Sequence, residues 1–399
     1  MATQAAAPPK LTPQQQDAMA TATILANAVN KTQSVANAQV FPATNPTLFI
    51  QPVNVGLIKR FIIIVTGTIT NTGSTTITLT DFGVSNVFGP GGVQYSDLSN
   101  FLRVNTAGLH LSVISDAKRG RPYAGTYDAN QVDGNNRSQM LNTPAALWPV
   151  ITAQPTIASG QSGAFRAVFE LPLAYSDTDL RGGIWANVLN AVQQLNLTFN
   201  TNVVTANPTD NTFAIYSGAA GSAGAISSAT VVVYQQYLDQ LPTGQAYGFL
   251  PQLSISTAYQ LLYTNFANVT PGQEFPIQYA NQRSFLSTLA IFNSTGAVGG
   301  RNYGSDVNYW ALLTANSSYV WKLDPLTCTQ ESRDDITFDL PAGTYYFPSR
   351  EHPIASQQFG NIQLILNAIS ANASSTVFVG WEQFALKNTL ITGSSLAAN

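Results

Sequence analysis

Residues 228–237, SATVVVYQQY, have a counterpart at residues 375–384, STVFVGWEQF. Each places Thr-Val-x-Val before an aromatic residue and a Gln, with one residue of slippage. Pro172 to Asn200 is likewise echoed by Pro348 to Asn367, ending in Leu-x-Phe-Asn and Leu-x-Leu-Asn. Two echoes in the same order indicate two related domains, each closing on the same kind of strand. A chain of 399 residues has room for two or three domains.

The first copy lies in Thr230–Pro251, TVVVYQQYLDQLPTGQAYGFLP. Val231, Val232, Val233, Tyr234 and Tyr237 are β-branched or aromatic and predict a strand. Pro242 and Gly244 break it. The chain then restarts with LSISTAYQLLY. This punctuation alone also suits a strand inside one domain and a surface loop; the echoes favour a seam at Tyr237, Leu238, Pro242 and Gly244. The division is then an arm over 1–46, a first domain over 47–245 and a second over 246–399.

The arm is rich in Ala, Gln, Thr and Asn. Thr12 can cap a helix, Pro13 suits its first position, and Gln15 falls three residues after the cap. Ala18, Ala22, Leu25 and Val29 follow at helical spacing. Such a thin apolar stripe needs something to lie on. It reads as a frayed terminus, or as an arm that docks on a neighbour or a membrane surface. Lys10 and Lys31 are its only cations, so strong attraction to anionic lipid is not expected.

The body reads as short strands and turns. Phe61–Thr70 is the strongest strand, with burial on both faces expected at its start. With Thr76–Thr80 across an Asn71–Gly73 turn it forms a hairpin-like pair. Leu109–Ser115 alternates as a strand carrying His110. Residues 116–145 are a polar excursion. Ala164–Leu171, Leu195–Phe199, Ser284–Phe292, Tyr345–Phe347, Ile362–Leu366 and Thr376–Val379 are further strands. The one helix expected in the body is Leu173–Leu189, capped by Ser176 and Asp179. The fold class is all-β, as sandwiches or jelly-roll barrels.

Charged residues make up only 9% of the chain, against roughly 25% in an average soluble domain. A surface of Asn, Gln, Thr, Ser, Gly and Ala has little charge repulsion and invites association with other copies. The net charge is −3, from 17 Lys+Arg and 20 Asp+Glu. The densest cationic spot, Lys118-Arg119-Gly120-Arg121, reads as a solvated turn, so specific nucleic-acid binding is not expected. Residues 1–30 lack a basic start before an apolar core, so no secretion signal is expected. The apolar run Phe61–Val65 is far short of the ~20 residues that span a bilayer. The chain is expected to be made in a cytoplasm.

Catalytic chemistry finds little to use. Cys328 is the only cysteine and His110 and His352 the only histidines. No metal-ligand spacing and no nucleophile flank appears. Asp177 with Asp179, or Asp334 with Asp335, could pair for glycoside hydrolysis. Helix capping explains the first pair and a polar turn the second. No enzyme, cofactor or metal is expected.

Three stretches resemble the major capsid proteins of tectiviruses, icosahedral DNA phages with a membrane inside the shell. They are Pro172–Leu180 with Ala186-Asn-Val188, then Val233–Gln245. The third combines Tyr279-Ala-Asn281, Leu286-Ser-Thr288, Asp306–Tyr309, Thr314-Ala-Asn316 and Lys322–Pro325. Weaker similarity includes Leu11-Thr-Pro13, Asn54-Val-Gly56 and Thr80–Gly83. Residues 84–165 and 296–304 depart from the pattern.

The resemblance implies two eight-stranded jelly rolls, each with a flanking helix, plus the N-terminal helical arm. It implies a homotrimeric, six-lobed, pseudo-hexagonal capsomer of the adenovirus hexon lineage, located in the virion shell. Implied partners are neighbouring capsomers, vertex and minor capsid proteins, and the viral inner membrane through the arm. The alternative is a jelly-roll glycan- or receptor-binding module of a phage, using aromatics such as Tyr123, Tyr127 or Tyr303.

Overall fold

A computed structural model of the chain describes residues 13–35, 39–40, 46–80, 83–98, 100–119, 152–154, 156–186, 192–205, 213–240, 257–279, 284–294, 306–315, 317–336, 340, 343–349, 354–355, 360, 362–369, 371 and 375–386. Helix α1 (Pro13–Asn27) comes first. The first lobe then contains β1 (Val29–Ser34), β2 (Thr47–Ile50), β3 (Leu57–Asn71), β4 (Val93–Ser96), β5 (Leu102–Thr106), helix α2 (Gly108–Arg119), β6 (Ser162–Pro172), β7 (Gln194–Thr198) and β8 (Gly224–Asp239). The second contains β9 (Thr257–Ala267), β10 (Glu274–Gln278), β11 (Ser284–Asn293), β12 (Val307–Leu313), β13 (Tyr319–Leu323), helix α3 (Pro325–Asp335), β14 (Thr344–Pro348), β15 (Gln363–Ala368) and β16 (Thr376–Leu386).

The strand order repeats. One sheet of the first lobe runs β1-β8-β3-β6, and the second lobe has β9-β16-β11-β14. The facing sheets run β2-β7-β4-β5 and β10-β15-β12-β13. Counted within each lobe, the order is first-eighth-third-sixth over second-seventh-fourth-fifth, the double Greek key of an eight-stranded jelly roll. Among the described residues each lobe also carries one helix between its fifth and sixth strands. The echoed segments are β8 and β16, the eighth strand of each lobe.

Alternating residues build the cores. On β3, Phe61, Ile63 and Val65 are fully buried, while Ile62 and Ile64 are half-buried on the other face. On β16, Val377, Val379 and Trp381 enter the second core with Trp310, Leu364 and Leu366. Each such side chain contributes roughly 1.5–3 kcal/mol on burial.

Four expectations need correction. Leu173–Leu189 is no helix over its described part. Pro172 ends β6, and the amides of Leu173 and Ala174 both donate to Lys59 O, at 2.9 Å each. Ser176 Oγ accepts from the amide of Asp179 at 2.9 Å, but this closes a single turn. Asp179 instead grips Arg181, Nη2 to Oδ2 at 2.6 Å. Second, Leu109–Ser115 is helical, in α2. Its residues are buried on every side, so no polar stripe marks the helix. Third, Ile77–Leu79 does not pair back on β3. It pairs with Tyr216–Gly218 and Thr156–Ile157 in a separate small sheet. Fourth, Val29 does not continue α1. Residues 29–34 pair along 239–234 as the first strand of the first lobe.

The lobes share one sheet. The single described partner pair between β5 and β9 is parallel, Val104 opposite Leu261, so β2-β7-β4-β5 continues into β9-β16-β11-β14. A single hydrophobic cluster spans both lobes, joining Leu109, Val113 and Ile114 of α2 to Leu289, Ile291, Phe378 and Phe384 of the second lobe. A continuous apolar core of this kind holds two domains as one body.

Candidate functional site

The described residues that meet between the lobes form a packed joint. The outward face of β16 presents Phe378, Gly380, Glu382 and Phe384 to the first lobe. Phe378 stacks on Tyr263 at 5.7 Å and meets Phe213 edge-on at 5.0 Å. Helix α2 lies against the middle of this face. His110 is fully buried there, with Nδ1 2.7 Å from Thr106 Oγ1. Gly380 allows this approach: a Cβ at that position would lie 2.7 Å from His110 Nδ1. Gly182, at φ +84°, makes a second close approach, its backbone resting on Tyr259.

Several polar groups pair across the joint. Lys118 Nζ lies 3.0 Å from Glu382 Oε1 and donates to Tyr259 Oη at 2.7 Å and to Tyr175 O at 2.9 Å. Ser287 donates to Glu382 Oε2 at 2.8 Å. Gln260 Nε2 donates across the seam to Leu102 O at 2.7 Å, and Gln260 Oε1 accepts from Gln383 at 2.9 Å. Arg103, also buried, pairs with Asp97 at 2.9 Å and donates to Gly182 O at 3.2 Å. Satisfied networks of this kind fix one geometry, because any shift strands a buried charge. Lys118 is therefore no solvated turn.

Tyr237 and Leu238 sit beneath the arm. Tyr237 donates to Gln33 Oε1 at 3.1 Å, and Leu238 is buried with Leu57, Leu180 and Ile24 of α1. Pro242 and Gly244 lie outside the described residues, as do Thr12, His352, Tyr123, Tyr127 and Tyr303. Helix α1 starts at Pro13 as expected, but it docks through Ala20, Thr21 and Ile24. The predicted stripe of Ala18, Ala22, Leu25 and Val29 faces outward, with Leu25 36% and Val29 43% exposed. Ile24 fills the hollow that Leu57, Leu180 and Leu238 leave, which decides the docking face. Lys31 is held by Asp239; this hydrogen-bonded pair raises the Lys31 pKa and lowers that of Asp239.

The remaining chemical candidates are engaged structurally. Lys59 and Arg60 both lie 3.5 Å from Asp177, and Arg60 is 3.1 Å from Glu170. With Lys118 and Tyr175 they line a cavity of about 230 Å3 beside the joint. Ser176 and Asp179 serve a turn rather than a helix cap. Asp334 and Asp335 end α3 rather than forming a loop. Cys328 is buried in α3, and burial pushes its thiol pKa well up. No group of three His, Cys, Asp or Glu among the described residues could hold a metal. No described helix is long and apolar enough to cross a membrane.

The joint was hidden in sequence because its members are far apart. One signal was available: Glu382 puts a charge into an otherwise apolar strand, where the echoed strand has Gln236.

Comparison with known proteins gives this architecture its place. The pattern described as "P3 major capsid protein N-terminal" matches residues 3–241, and "P3 major capsid protein C-terminal" matches 256–398. The chain belongs to the P3 major capsid protein family. Within the P3 family, it is 36% identical over 369 residues to the major capsid protein P3 of Enterobacteria phage PRD1, covering 90% of this chain and 88% of that one. Among solved structures, the major capsid protein of Sulfolobus Turreted Icosahedral Virus superposes with a TM-score of 0.60 at 13% identity, covering 93% of this chain and 100% of that one. The PBCV-1 capsid chain gives 0.54 at 12% identity, covering 90% and 94%. These two share the double jelly-roll fold. P3 proteins are coat proteins, so this chain is a major capsid protein of the virion shell and not an enzyme.

Proposed function

We propose that the chain is the coat subunit of a double-stranded DNA phage whose icosahedral shell encloses a membrane. It acts as a homotrimer with a pseudo-hexagonal outline. The observation that carries this reading is the repeated strand order in two lobes that share one sheet and one apolar core. Three such chains supply six similar lobes, which tile a near-hexagonal lattice from one gene product. Low charge supports the same reading, because interfaces between capsomers can then be dehydrated with few unpaired ions.

The division into an arm and two lobes, with the crossing after Leu238, follows the same logic. The outward stripe of α1, with Met19 and Leu25, suits contact with a neighbouring capsomer or the inner membrane. Vertex and minor capsid proteins would meet the outer rim of the lattice. The net charge of −3 supports a shell without sequence-specific DNA contacts. Synthesis would take place in the host cytoplasm. Sedimentation of the purified chain at micromolar concentration tests the proposal: a trimer is expected, and a stable monomer would contradict it.

A further inference from the structure

Two adjacent cations, Lys59 and Arg60, stand on β3 directly before its apolar run. In a regular strand neighbouring side chains point to opposite faces. Here both line one cavity. The reason is a bulge. Gln236 of β8 stands opposite Arg60 and Tyr237 opposite Ile58, so Lys59 is the extra residue. Its carbonyl accepts from the amides of Leu173 and Ala174, at 2.9 Å each, which pins the bulge from the β6 side. An extra residue re-aims a side chain, and bulges recur beside functional sites for that reason.

The cavity, about 230 Å3, has a buried floor and an exposed mouth. The Lys59 side chain is only 8% exposed, and Glu170 is buried. At the mouth stand Asp177 and Thr178, on the turn closed by Ser176. The charges are matched unequally. Arg60 meets Glu170 at 3.1 Å and also donates to Gln236, and Lys118 meets Glu382 at 3.0 Å. Lys59 meets Asp177 at 3.5 Å, and that carboxylate is 52% exposed; Arg60 lies at the same 3.5 Å from it. Charge-assisted hydrogen bonds are normally about 2.7–2.9 Å long. Asp177 thus stands over two cations without closing on either. A buried ammonium is costly unless close partners repay it, and a carboxylate at this distance repays little.

We propose that this cavity is a binding site for a phosphate group, and that the Asp177 carboxylate stands in for the ligand. A tetrahedral oxyanion carries more acceptor oxygens than a carboxylate, so it can take Lys59 Nζ and Arg60 Nη1 at hydrogen-bond distance together. Guanidinium and ammonium groups are the usual partners of phosphate. The hydroxyls of Ser176 and Thr178 line the same cavity and can donate as well. Asp177 is on an exposed turn, so its carboxylate swings to solvent as the anion enters. Glu170 keeps its hold on Arg60. The site goes beyond the coat-subunit reading and does not depend on it.

The test is calorimetric titration of inorganic phosphate into the purified full chain at constant ionic strength. Saturable binding is expected. Asp177→Asn, at an exposed position, removes the competing carboxylate and should tighten binding at least about tenfold. Lys59→Met should abolish it. Because Lys59 is buried, thermal unfolding supplies a second readout. Phosphate raises the Tm of any fold through exclusion from its surface; the site predicts a further rise in wild type, a larger one in Asp177→Asn and none in Lys59→Met. Glycerol 3-phosphate separates the sources of the group. Binding of both compounds assigns the site to phosphate esters such as lipid headgroups, and binding of inorganic phosphate alone assigns it to the free anion. Absence of saturable binding of either compound in both wild type and Asp177→Asn, or an Asp177→Asn chain that binds no more tightly than wild type, overturns the proposal.

Discussion

Lys118, in the helix of the first lobe, lies 3.0 Å from the carboxylate of Glu382, in the last strand of the second. Glu382 is fully buried and the Lys118 side chain is only 12% exposed. Removing one partner strands the other charge, at a cost of roughly 3–5 kcal/mol. Lys118→Met should therefore lower the urea midpoint sharply. The double variant Lys118→Met/Glu382→Leu should recover part of that loss, because Ser287 and Tyr259 then lose the carboxylate they donate to. A single variant with an unchanged midpoint would remove the pair from the account of the joint.

Gly380→Ala tests how closely the lobes approach. The new methyl would press on the His110 ring, and overpacking of this kind costs about 1–3 kcal/mol. Thermal unfolding should show a lower Tm, and His110→Ala should relieve part of it. Additive losses would mean that the two residues do not touch.

The two faces of α1 should separate in function. Ile24→Ala empties a packed site and should cost about 2–5 kcal/mol of folding stability. Leu25→Glu lies on the outward face and should leave the unfolding curve of the purified protein unchanged while lowering the yield of closed shells. Deletion of residues 1–40 would remove β1 as well as the helix, so it should destabilise the first lobe rather than only impair assembly. Intact thermal stability after that deletion would count against β1 as a lobe strand.

Asp324 caps α3 by accepting from the amides of Leu326 and Thr327, at 2.9 and 3.2 Å. The Thr327 hydroxyl, then the backbone amides, hold its pKa below the ordinary 3.8. A carboxyl with a depressed folded-state pKa stabilises above its ordinary value and loses that contribution as pH falls through the folded value. Asp324→Asn should therefore flatten the acid limb of the stability profile below about pH 4. Asp324→Ala should cost about 1 kcal/mol near neutrality. An acid limb identical to wild type in Asp324→Asn would contradict the cap.

Much of the fold was legible because β-branched and aromatic runs bounded by turn residues mark strands. The apolar run Phe61–Val65 marks β3, although Ile62 and Ile64 are half-buried where burial on both faces is expected, and β8 and β16 repeat Thr-Val-x-Val before an aromatic. The helices were misplaced for physical reasons. Helix α2 is buried on every side from Gly108 to Ser115, so Leu109–Ser115 shows no polar stripe and its Ser residues mimic strand alternation. Ser176 with Asp179 carries a capping pattern, but Arg181 takes the carboxylate and Gly182-Gly183 follows, so the turn never propagates. The start of α3 is marked in the sequence by Asp324-Pro325, a cap followed by proline. The docking face of α1 was undecidable from spacing, because Ala and Leu occupy both sides; only the hollow formed by Leu57, Leu180 and Leu238 selects Ile24. The joint itself pairs residues from opposite ends of the chain, which no local pattern reveals.

End-on electron-microscope averages of the purified oligomer bear on all of this at once. Two equivalent lobes per rigid chain predict a closed particle with threefold symmetry and six lobes of similar size around a near-hexagonal outline. A closed dimer, an open chain of lobes, or three lobes plainly unlike the other three in size and orientation would contradict it.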